Sequence, residues 1–377
     1  MRILAIDIGT GTQDILLFDS EQPIENGLQL VMPAPTQIVA GRIRAATAAR
    51  RPVLLTGVIM GGGPCQWAAN DHLRAGLPLY ATPDAARTFN DDLDAVRRDG
   101  VTIVSEDEAA GWRDAEQIVM RDLDLEAVDV ALAAFGVGDG ARRPYDALAV
   151  AVFDHGNAPP DVSDRVFRFN YLAERFSTGR GLLALGFRRA DVPAEMTRLR
   201  AVVATAPDDL PLLVMDTAPA AVLGALDDPL VATQEDLLVA NVGNFHCLAF
   251  HIAGGQIAGC FEHHTGELTP PQLVGFLRRL GTGAITNQEV FESMGHGALV
   301  LRPTPGAQPW LAVTGPRRAL LRGTGDVWGD PVGDPVGRPY FAVPHGDMML
   351  AGCFGLLRAY AANYPDSAEA IAQALAG

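Results

Sequence analysis

The sequence predicts an α/β protein built from two similar halves, and three observations lead to that prediction. An apolar strand that begins at residue 2 enters a glycine-rich turn and returns as a second apolar strand that ends near residue 18. Strands and helices then alternate as far as Asp227-Asp228-Pro229. After this break a second set of strands begins, again followed by helices. Since such alternation places helices on both faces of a mixed sheet, we expect two layered α/β units.

The first half is predicted from its apolar runs and from the glycine, proline and aspartate residues between them. After the opening pair of strands, further strands are predicted at 28–32, 52–60, 146–153 and 211–215. Helices are predicted at 36–49, 65–75, 83–98, 123–134, 192–205 and 217–226.

The second half opens on three strands with glycine turns, predicted at 237–242, 246–252 and 256–261. Helices at 270–280 and 287–294 follow, then strands at 310–314 and 340–343 and a helix at 347–362.

The composition limits the partners that the chain can have. Its 377 residues are 48% hydrophobic, which suffices for a large core, and the formal net charge is −16. An acidic surface repels phosphate backbones, so we expect neither nucleic acid nor an anionic membrane as a partner. All 29 basic residues are arginines. Without lysine the chain cannot form a Walker A loop or a Schiff base.

The four cysteines, Cys65, Cys247, Cys260 and Cys353, are far apart and form no Cys-x-x-Cys pair. This spacing excludes the three-cysteine loop that holds the iron–sulfur cluster of radical S-adenosylmethionine enzymes. No charged leader precedes the first strand and no apolar run is long enough for a membrane span. We therefore expect a cytoplasmic protein with reduced thiols.

The turn between the first two strands is the most informative motif of the chain, Asp-Ile-Gly-Thr-Gly-Thr over residues 7–12. The glycines let the backbone come close to a ligand, and the amides and threonine hydroxyls can hold phosphate oxygens. The carboxylate of Asp7 can hold a hydrated divalent cation. A plain hairpin turn is the alternative interpretation.

Four further motifs follow along the chain. They are Asp216-Thr-Ala-Pro before a helix of small residues, Asn241-Val-Gly-Asn-Phe-His between two strands, Val313-Thr-Gly-Pro-Arg-Arg after a strand, and Gly346-Asp-Met-Met before a second helix with small residues. In this order, the five motifs resemble those of the actin, Hsp70 and sugar-kinase superfamily. The resemblance implies two RNase H-like domains with a nucleotide cleft between them. We expect residues 1–229 and 345–377 to form one domain and residues 230–344 the other.

The resemblance also implies a site for ATP and Mg²⁺, with GTP as an alternative nucleotide. The residues implied are Asp7 for the metal, Gly9, Thr10, Gly11, Thr12, Gln13, Asn241, Gly243 and Asn244 for the phosphates, and Gly315 and Arg317 for the adenosine.

Two carboxylates are candidates for a catalytic base. Asp216 ends a buried strand directly before a helix, which is where sugar kinases place their base, but aspartate is also a favoured helix N-cap. Asp154 ends another buried strand in Asp-His-Gly-Asn, and its alternative is an Asx turn closed at Gly156. Both interpretations stay open for each residue.

Asn241 departs from the superfamily pattern, which has an aspartate at the start of this loop. An asparagine supplies neither a charge nor a base, so the sequence favours nucleotide binding over fast turnover.

The histidines have a structural and a functional interpretation. His246 and His251 lie five apart on one predicted strand, so they point to opposite faces and cannot share a metal. His263 and His264 follow a strand exit, where they either reach the cleft or are ordinary hydrogen-bonded side chains.

The motifs Asp-Ile-Gly-Thr-Gly-Thr-Gln-Asp, Met-Gly-Gly-Gly-Pro, Phe-Asp-His-Gly and Asn-Val-Gly-Asn-Phe-His resemble an actin-like family whose members are sometimes labelled pyruvate formate-lyase activating enzyme. The resemblance implies a slow ATPase that couples domain closure to a client enzyme. The alternatives are a small-molecule kinase, whose acceptor pocket would lie at the loops 60–64 and 154–157, and a non-catalytic nucleotide-binding scaffold. Whether the protein forms a homodimer stays open.

Overall fold

The computed structural model describes residues 1–138, 142–306, 309–324 and 339–376. In these ranges the strands are β1 (Arg2–Ile8), β2 (Thr12–Asp19), β3 (Leu28–Pro33), β4 (Val53–Gly57), β5 (Leu79–Ala81), β6 (Thr102–Ile103), β7 (Glu116–Met120), β8 (Ala147–Val152), β9 (Gly186–Arg188), β10 (Leu212–Asp216), β11 (Asp236–Val242), β12 (His246–Ala253), β13 (Gln256–His264), β14 (Gly297–Val300), β15 (Trp310–Thr314) and β16 (Tyr340–Phe341).

The helices in the same ranges are α1 (Pro35–Ala48), α2 (Pro64–Arg74), α3 (Pro83–Ala86), α4 (Leu93–Arg98), α5 (Glu106–Gly111), α6 (Leu125–Ala134), α7 (Asp164–Ser177), α8 (Thr197–Thr205), α9 (Thr217–Ala225), α10 (Pro270–Thr282), α11 (Asn287–Glu292), α12 (Ala351–Asn363) and α13 (Ala368–Leu375). None of the helices in the described part of the chain is both long and apolar enough to cross a membrane.

The first sheet has the strand order β3-β2-β1-β8-β10-β9. β1 pairs antiparallel with β2, and β2 pairs antiparallel with β3, so the opening strands form the predicted meander. β8 pairs parallel with β1 on its other side, and β10 pairs parallel with β8. Because helices cover both faces, β8 is buried along its whole length, as its apolar sequence predicts.

The second sheet repeats this arrangement, with the order β14-β13-β12-β11-β15-β16. β11, β12 and β13 form an antiparallel meander, β15 pairs parallel with β11, and β16 pairs parallel with β15. Each sheet therefore places its first strand between the meander and the parallel strands. This shared topology confirms the prediction of two RNase H-like halves. The boundaries predicted for the domains, at 229/230 and 344/345, stay a prediction.

A third sheet lies between β3 and β8 in the chain and was not predicted as a separate unit. It is parallel, with the order β6-β5-β4-β7, and its core includes apolar side chains of α1 and α2. The sequence indicates β4, but β5 and β6 are very short and β7 is partly exposed. The helix expected at 83–98 is two short helices, α3 and α4. The structure also adds α7, which begins at Asp164 and has Ser163 as its N-cap.

The helices α9 and α12 cross at very short range between the two large sheets. A Cβ on Gly224 would overlap the carbonyl oxygen of Ala351, and a Cβ on Gly355 would overlap that of Ala220. The small residues that the sequence placed in these helices therefore allow the backbones to touch.

Candidate functional site

Two buried aspartates face each other on the first hairpin. Asp7 on β1 and Asp14 on β2 are opposite in the strand register, and each is 8% exposed. Asp7 accepts a hydrogen bond from the hydroxyl of Thr217, and a Cβ on Gly352 would overlap its carboxylate. Oδ1 of Asp14 is buried and has no hydrogen-bond partner among the described residues. The pair brings two carboxylates together in a space from which the backbone of α12 excludes larger groups.

The electrostatics of this pair favour a cation. Burial raises the pKa of Asp7 to about 7, with the hydrogen bond from Thr217 opposing and the charge of Asp216 adding. Burial, assisted by the charge of Asp7, raises the pKa of Asp14 to about 8. Carboxylate oxygens of this kind are the ligands that Mg²⁺ prefers. Asp7 was found from the sequence, but Asp14 was missed. The length of the turn could have revealed it, because the turn fixes the register of the hairpin and so places Asp14 opposite Asp7.

Replacing Asp14 with Asn is expected to stabilise the metal-free protein at pH 7.5. The native carboxyl keeps its proton up to about pH 8, whereas in the unfolded chain it titrates near 3.8. The unfolded state therefore binds fewer protons between these values, and stability falls as the pH rises. Asparagine copies the neutral form at every pH. Thermal unfolding in EDTA should give a higher midpoint for Asp14→Asn at pH 7.5, and the difference should shrink near pH 4. Equal midpoints at pH 7.5 would show that burial of this carboxyl carries no cost.

The two glycine-rich turns face each other across a small cavity of about 100 Å³. Each turn is closed by the same hydrogen bond, since the N–H of Gly9 donates to the carbonyl of Thr12 and that of Gly243 to the carbonyl of His246, both at 2.9 Å. The sequence-predicted residues that line the cavity are Asp7, Gly9, Thr10, Thr12, Asn241, Gly243, Asn244 and Gly315. The structure thus brings together the residues of both predicted phosphate loops.

Three residues predicted for nucleotide binding are not in the cavity lining. A Cβ on Gly11 would overlap the side-chain amide of Asn244, so the two turns touch at this point. The side chain of Gln13 donates a hydrogen bond of 3.1 Å to the carbonyl of Pro33 on β3. The backbone N–H of Arg317 donates to Val242 at 2.9 Å, and the residue is exposed. Nucleotide contacts by these residues stay a prediction.

Asp216 lies in a buried charge cluster around Arg168 of α7. Asp216 is the N-cap of α9, and its Oδ1 accepts a hydrogen bond of 3.4 Å from the N–H of Ala218. Its Oδ2 lies 2.5 Å from Nη2 of Arg168, whose side chain is 1% exposed. Arg168 also donates from Nε to Glu262 at 3.1 Å and from Nη1 to the carbonyl of Asp154 at 3.0 Å. The cap role is observed, and the role of a base stays a prediction.

One guanidinium in this cluster serves two carboxylates. Burial raises the pKa of Asp216 to about 6, against the attraction of Arg168. Burial also acts to raise the pKa of Glu262, but the charge of Arg168 holds it well below its ordinary value. With Glu262 ionised and Arg168 neutralising one charge, the cluster favours a further positive charge nearby. No sequence pattern points to Arg168, because an arginine on an amphipathic helix is usually a surface residue.

Asp154 is fully engaged by backbone amides. Its Oδ1 accepts from the N–H of Gly156 at 2.9 Å, which is the Asx turn considered for it, and its Oδ2 accepts from the N–H of Leu199 at 2.8 Å. The carboxylate is buried and fixed by α8. Its role as a base stays a prediction.

A larger cavity of about 1010 Å³ adjoins the small one. The two share lining residues that include Gly9, Thr10 and His246. Asp91 also lines the larger cavity, its Oδ1 is buried without a hydrogen-bond partner among the described residues, and burial raises its pKa. The sequence pattern does not single out Asp91, since a polar Asn-Asp-Asp segment is typical of a surface turn.

Three histidine rings meet beside the cavities, and one of them, His246, lines both. His246 and His264 are opposite in the register of β12 and β13, with ring centroids 5.1 Å apart. The ring of His296 lies 4.9 Å from that of His246 and 4.6 Å from that of His264. Burial lowers the pKa of His296 to about 3, although Glu262 opposes the shift.

The other two histidines of this region are hydrogen-bonded within the fold. Nε2 of His251 lies 2.7 Å from Asp236, so His251 faces away from His246 as predicted. Nε2 of His263 lies 2.9 Å from the carbonyl oxygen of Ser293. The structural interpretation therefore holds for His251 and His263, whereas His264 contacts His246 and does not itself line either cavity.

The four cysteines are unpaired and each is 0% exposed. Burial raises the pKa of each thiol. Buried structural thiols of this kind are inert.

Two repeated RNase H-like halves, joined by crossing helices and with facing glycine turns, define a protein of the actin, Hsp70 and sugar-kinase class. The family model described as "Putative pyruvate format-lyase activating enzyme (DUF1786)" matches residues 60–320. The match spans more than half of the chain, and the chain belongs to this family. No curated protein matches it.

Several solved structures are similar to the chain. Ethanolamine utilization protein EutJ from Carboxydothermus hydrogenoformans is 9% identical, with 94% of this chain and 89% of that chain covered and a TM-score of 0.30. Inorganic polyphosphate/ATP-glucomannokinase from Arthrobacter sp. strain KM is 13% identical, with 96% and 99% covered and a TM-score of 0.35. A ROK family protein from Streptococcus pneumoniae TIGR4 is 10% identical, with 97% and 100% covered and a TM-score of 0.33. Because these values are low, the fold assignment rests on the strand order and register described above.

Proposed function

We propose that the protein binds a Mg²⁺-nucleotide, with ATP as the expected ligand, and couples binding and slow hydrolysis to movement of its two halves. The observation that carries the proposal is the pair of glycine turns that face each other above two buried aspartates. Backbone amides and hydroxyls of such turns suit phosphate oxygens. In this fold the ligand would contact both halves at once, so its binding would stabilise one arrangement of them.

The metal requirement follows from the two aspartates. Asp7 and Asp14 fit Mg²⁺ because both are buried carboxylates and Asp14 retains an oxygen with no hydrogen-bond partner among the described residues. Bound Mg²⁺ would neutralise phosphate charge. The residues of the chain would supply its oxygen ligands, and Thr217 orients Asp7 through its hydroxyl.

Entry of a nucleotide requires the cleft to open. A cavity of about 100 Å³ is smaller than the roughly 300–1,000 Å³ of ordinary small-molecule sites. Two contacts join the second turn to the first half beside this cavity, Gly11 against Asn244 and the ring of Trp67 stacked on Phe245 with centroids 5.2 Å apart. In this proposal the turns separate to admit the nucleotide, and this separation is the movement that binding controls.

Slow hydrolysis is proposed because both candidate bases are occupied. Asp216 is paired with Arg168 and caps α9, and both oxygens of Asp154 accept from backbone amides. Asn241 adds no charge. In this proposal a cytoplasmic client protein that moves the two halves would release Asp216 and so accelerate hydrolysis.

A small-molecule kinase is the second candidate, and the cavity of about 1010 Å³ favours it. That cavity begins at Gly9 and Thr10, where a transferred phosphate would leave the first loop. Asp91 lines this cavity, and its Oδ1, which has no hydrogen-bond partner among the described residues, would face an acceptor bound there. ADP production that depends on an added small hydroxyl or carboxylate compound would favour the kinase, whereas stimulation by a protein would favour the coupled ATPase.

Replacing Asp7 with Asn is expected to abolish Mg²⁺-dependent stabilisation by ATP. A ligand that binds the native state adds about 2.7 kcal/mol to the free energy of unfolding at a concentration 100 times Kd, and so raises the unfolding midpoint. Thermal unfolding with ATP, ADP and GTP, each with and without Mg²⁺, measures this effect. Asp19→Asn is the matched control, because Asp19 lies at the opposite end of β2 and pairs with Arg2.

The parent and Asp19→Asn should show the same Mg²⁺-dependent shift, and Asp7→Asn should show none. A Mg²⁺-dependent shift of the unfolding midpoint that persists in Asp7→Asn would contradict the proposal that Asp7 binds the metal. The absence of a shift with every nucleotide in the parent would contradict the proposed function.

A further inference from the structure

A second cation site emerges from residues that the nucleotide proposal does not use. His246, His264 and His296 each offer one ring nitrogen, and these three nitrogens lie within 4.8 Å of one another. The rings come from β12, β13 and the residue directly before β14. Three imidazoles at one point are typical of a transition-metal site, since such metals favour nitrogen ligands.

The strand pairing holds the three residues in place. His246 and His264 are direct partners in the β12–β13 ladder. The backbone N–H of His296 donates to the carbonyl of Glu262 at 2.9 Å, which extends the β13–β14 ladder by one residue. The cluster therefore rests on three adjacent strands of one sheet, and its geometry does not depend on a flexible loop.

The polar atoms of the cluster are left unsatisfied without a ligand. His296 is 8% exposed, and neither of its ring nitrogens has a hydrogen-bond partner among the described residues. Nδ1 of His246 and Oε1 of Glu262 lie 3.2 Å apart, but neither makes a hydrogen bond among the described residues. Buried polar groups in native proteins are rarely left in this state, so the cluster itself points to a bound species.

Glu262 has the position of an outer partner to the imidazoles. Its Oε1 lies 3.2 Å from Nδ1 of His246 and 3.4 Å from Nδ1 of His296, while its Oε2 accepts from Arg168. A carboxylate beside Nδ1 favours the tautomer with a proton on Nδ1, which leaves Nε2 free for a metal. Both Glu262 and Asp216 pair with the single guanidinium of Arg168. Because two carboxylates face one positive charge, the cluster favours a further cation.

We propose that His246, His264 and His296 bind a divalent transition metal of the Zn²⁺ class, with Glu262 orienting the rings. Three protein ligands leave one coordination position for water or an anionic oxygen. His246 lines both cavities, so this position belongs to the cleft. The site is distinct from the Asp7–Asp14 pair, whose oxygen ligands suit Mg²⁺. It does not rest on the proposed function.

The test is a titration of nucleotide-free, EDTA-treated protein with Co²⁺, followed by visible absorption, and competition by Zn²⁺. The variants are His264→Gln and His296→Gln, with His155→Gln as the matched control. His155 lies in the same cleft but is not part of the cluster, and 42% of its side chain is exposed. His264 is only half-buried, so its variant is the one most certain to fold, and circular dichroism of the metal-free variants checks this.

The parent and His155→Gln should give the d–d absorption bands of imidazole-bound Co²⁺ at one metal per chain, removed by Zn²⁺. His264→Gln and His296→Gln should each bind Co²⁺ at least about tenfold more weakly, since loss of an outer partner alone costs 10–100-fold. The proposal is overturned if the parent gives no bands, or if the folded His264→Gln variant binds Co²⁺ as tightly as the parent.

Discussion

Replacing Arg168 with Met is expected to lower the free energy of unfolding by about 3–5 kcal/mol at pH 7.5, because it leaves buried carboxylates without their partner. The side chain is 1% exposed, and its guanidinium contacts Asp216, Glu262 and the carbonyl of Asp154. Methionine keeps most of the apolar stem of the arginine side chain. The decrease in the free energy of unfolding therefore reports the loss of the charge and not a loss of packing volume. Urea unfolding at several pH values is the measurement.

The pH dependence separates this cause from a simple packing defect. Without the guanidinium, burial would raise the pKa of Asp216 and Glu262 in the native state above their values in the unfolded chain. The variant therefore loses more stability as the pH rises. The deficit should therefore be smaller at pH 5 than at pH 7.5. Arg74→Met is the control, because Arg74 forms an exposed pair with Asp71 and such pairs contribute about 0–1 kcal/mol. A deficit below about 1 kcal/mol for Arg168→Met would contradict a buried charge cluster.

Replacing Gly355 with Ala is expected to destabilise the protein by about 1–3 kcal/mol or more, because the added Cβ forces two helices apart. That Cβ would overlap the carbonyl oxygen of Ala220 and lie 2.9 Å from the backbone nitrogen of Gly224. Alanine is the better helix former by about 0.5–1 kcal/mol, so the net sign reports whether the backbone contact is real. Thermal or urea unfolding measures it.

The control for this substitution is Gly41→Ala in α1, where a Cβ would meet no atom within 4 Å. There only the helix preference acts, and we expect a gain of about 0.5–1 kcal/mol. The double variant Gly224→Ala/Gly355→Ala should lose less than the sum of its parts, because helices already separated by one methyl accommodate the second. Gly352 on the same helix lies against Asp7, so a shift of α12 would disturb the metal site. Gly355→Ala should therefore also bind Mg²⁺-ATP more weakly. A neutral Gly355→Ala would show that α9 and α12 lie farther apart than described.

The repeated sheets could be predicted from the sequence because their signals are local. The strands β1 and β2 are apolar runs joined by a short glycine turn, and the same is true of β11 and β12. The third sheet could not be predicted as a unit. Its strands are short, and parallel strands pair only through connections whose geometry the sequence pattern does not show.

The site was predictable to the extent that it is made of turns. Asp7 could be found because a carboxylate at the end of a buried strand is costly unless it has a partner. Gly9 and Gly243 could be found because glycine between two apolar strands permits a tight turn and a close approach of the backbone to a ligand. Arg168 and the histidine cluster depend instead on distant contacts. Arg168 meets Glu262 from 94 residues away, and His296 reaches His264 only through the register of β13 and β14. Neither the hydrophobic periodicity nor the spacing of motifs in the sequence predicts contacts between residues this far apart in the chain.

The most direct test of the nucleotide site is amide hydrogen exchange measured by mass spectrometry with and without Mg²⁺-ATP. If the phosphates lie between the two turns, peptides covering residues 7–13 and 241–246 should both exchange more slowly with the ligand, because their amides become hydrogen-bonded. The helix α5, none of whose residues lines either cavity, should not change. Unaltered exchange in both turns under saturating Mg²⁺-ATP would contradict a nucleotide site in this cleft.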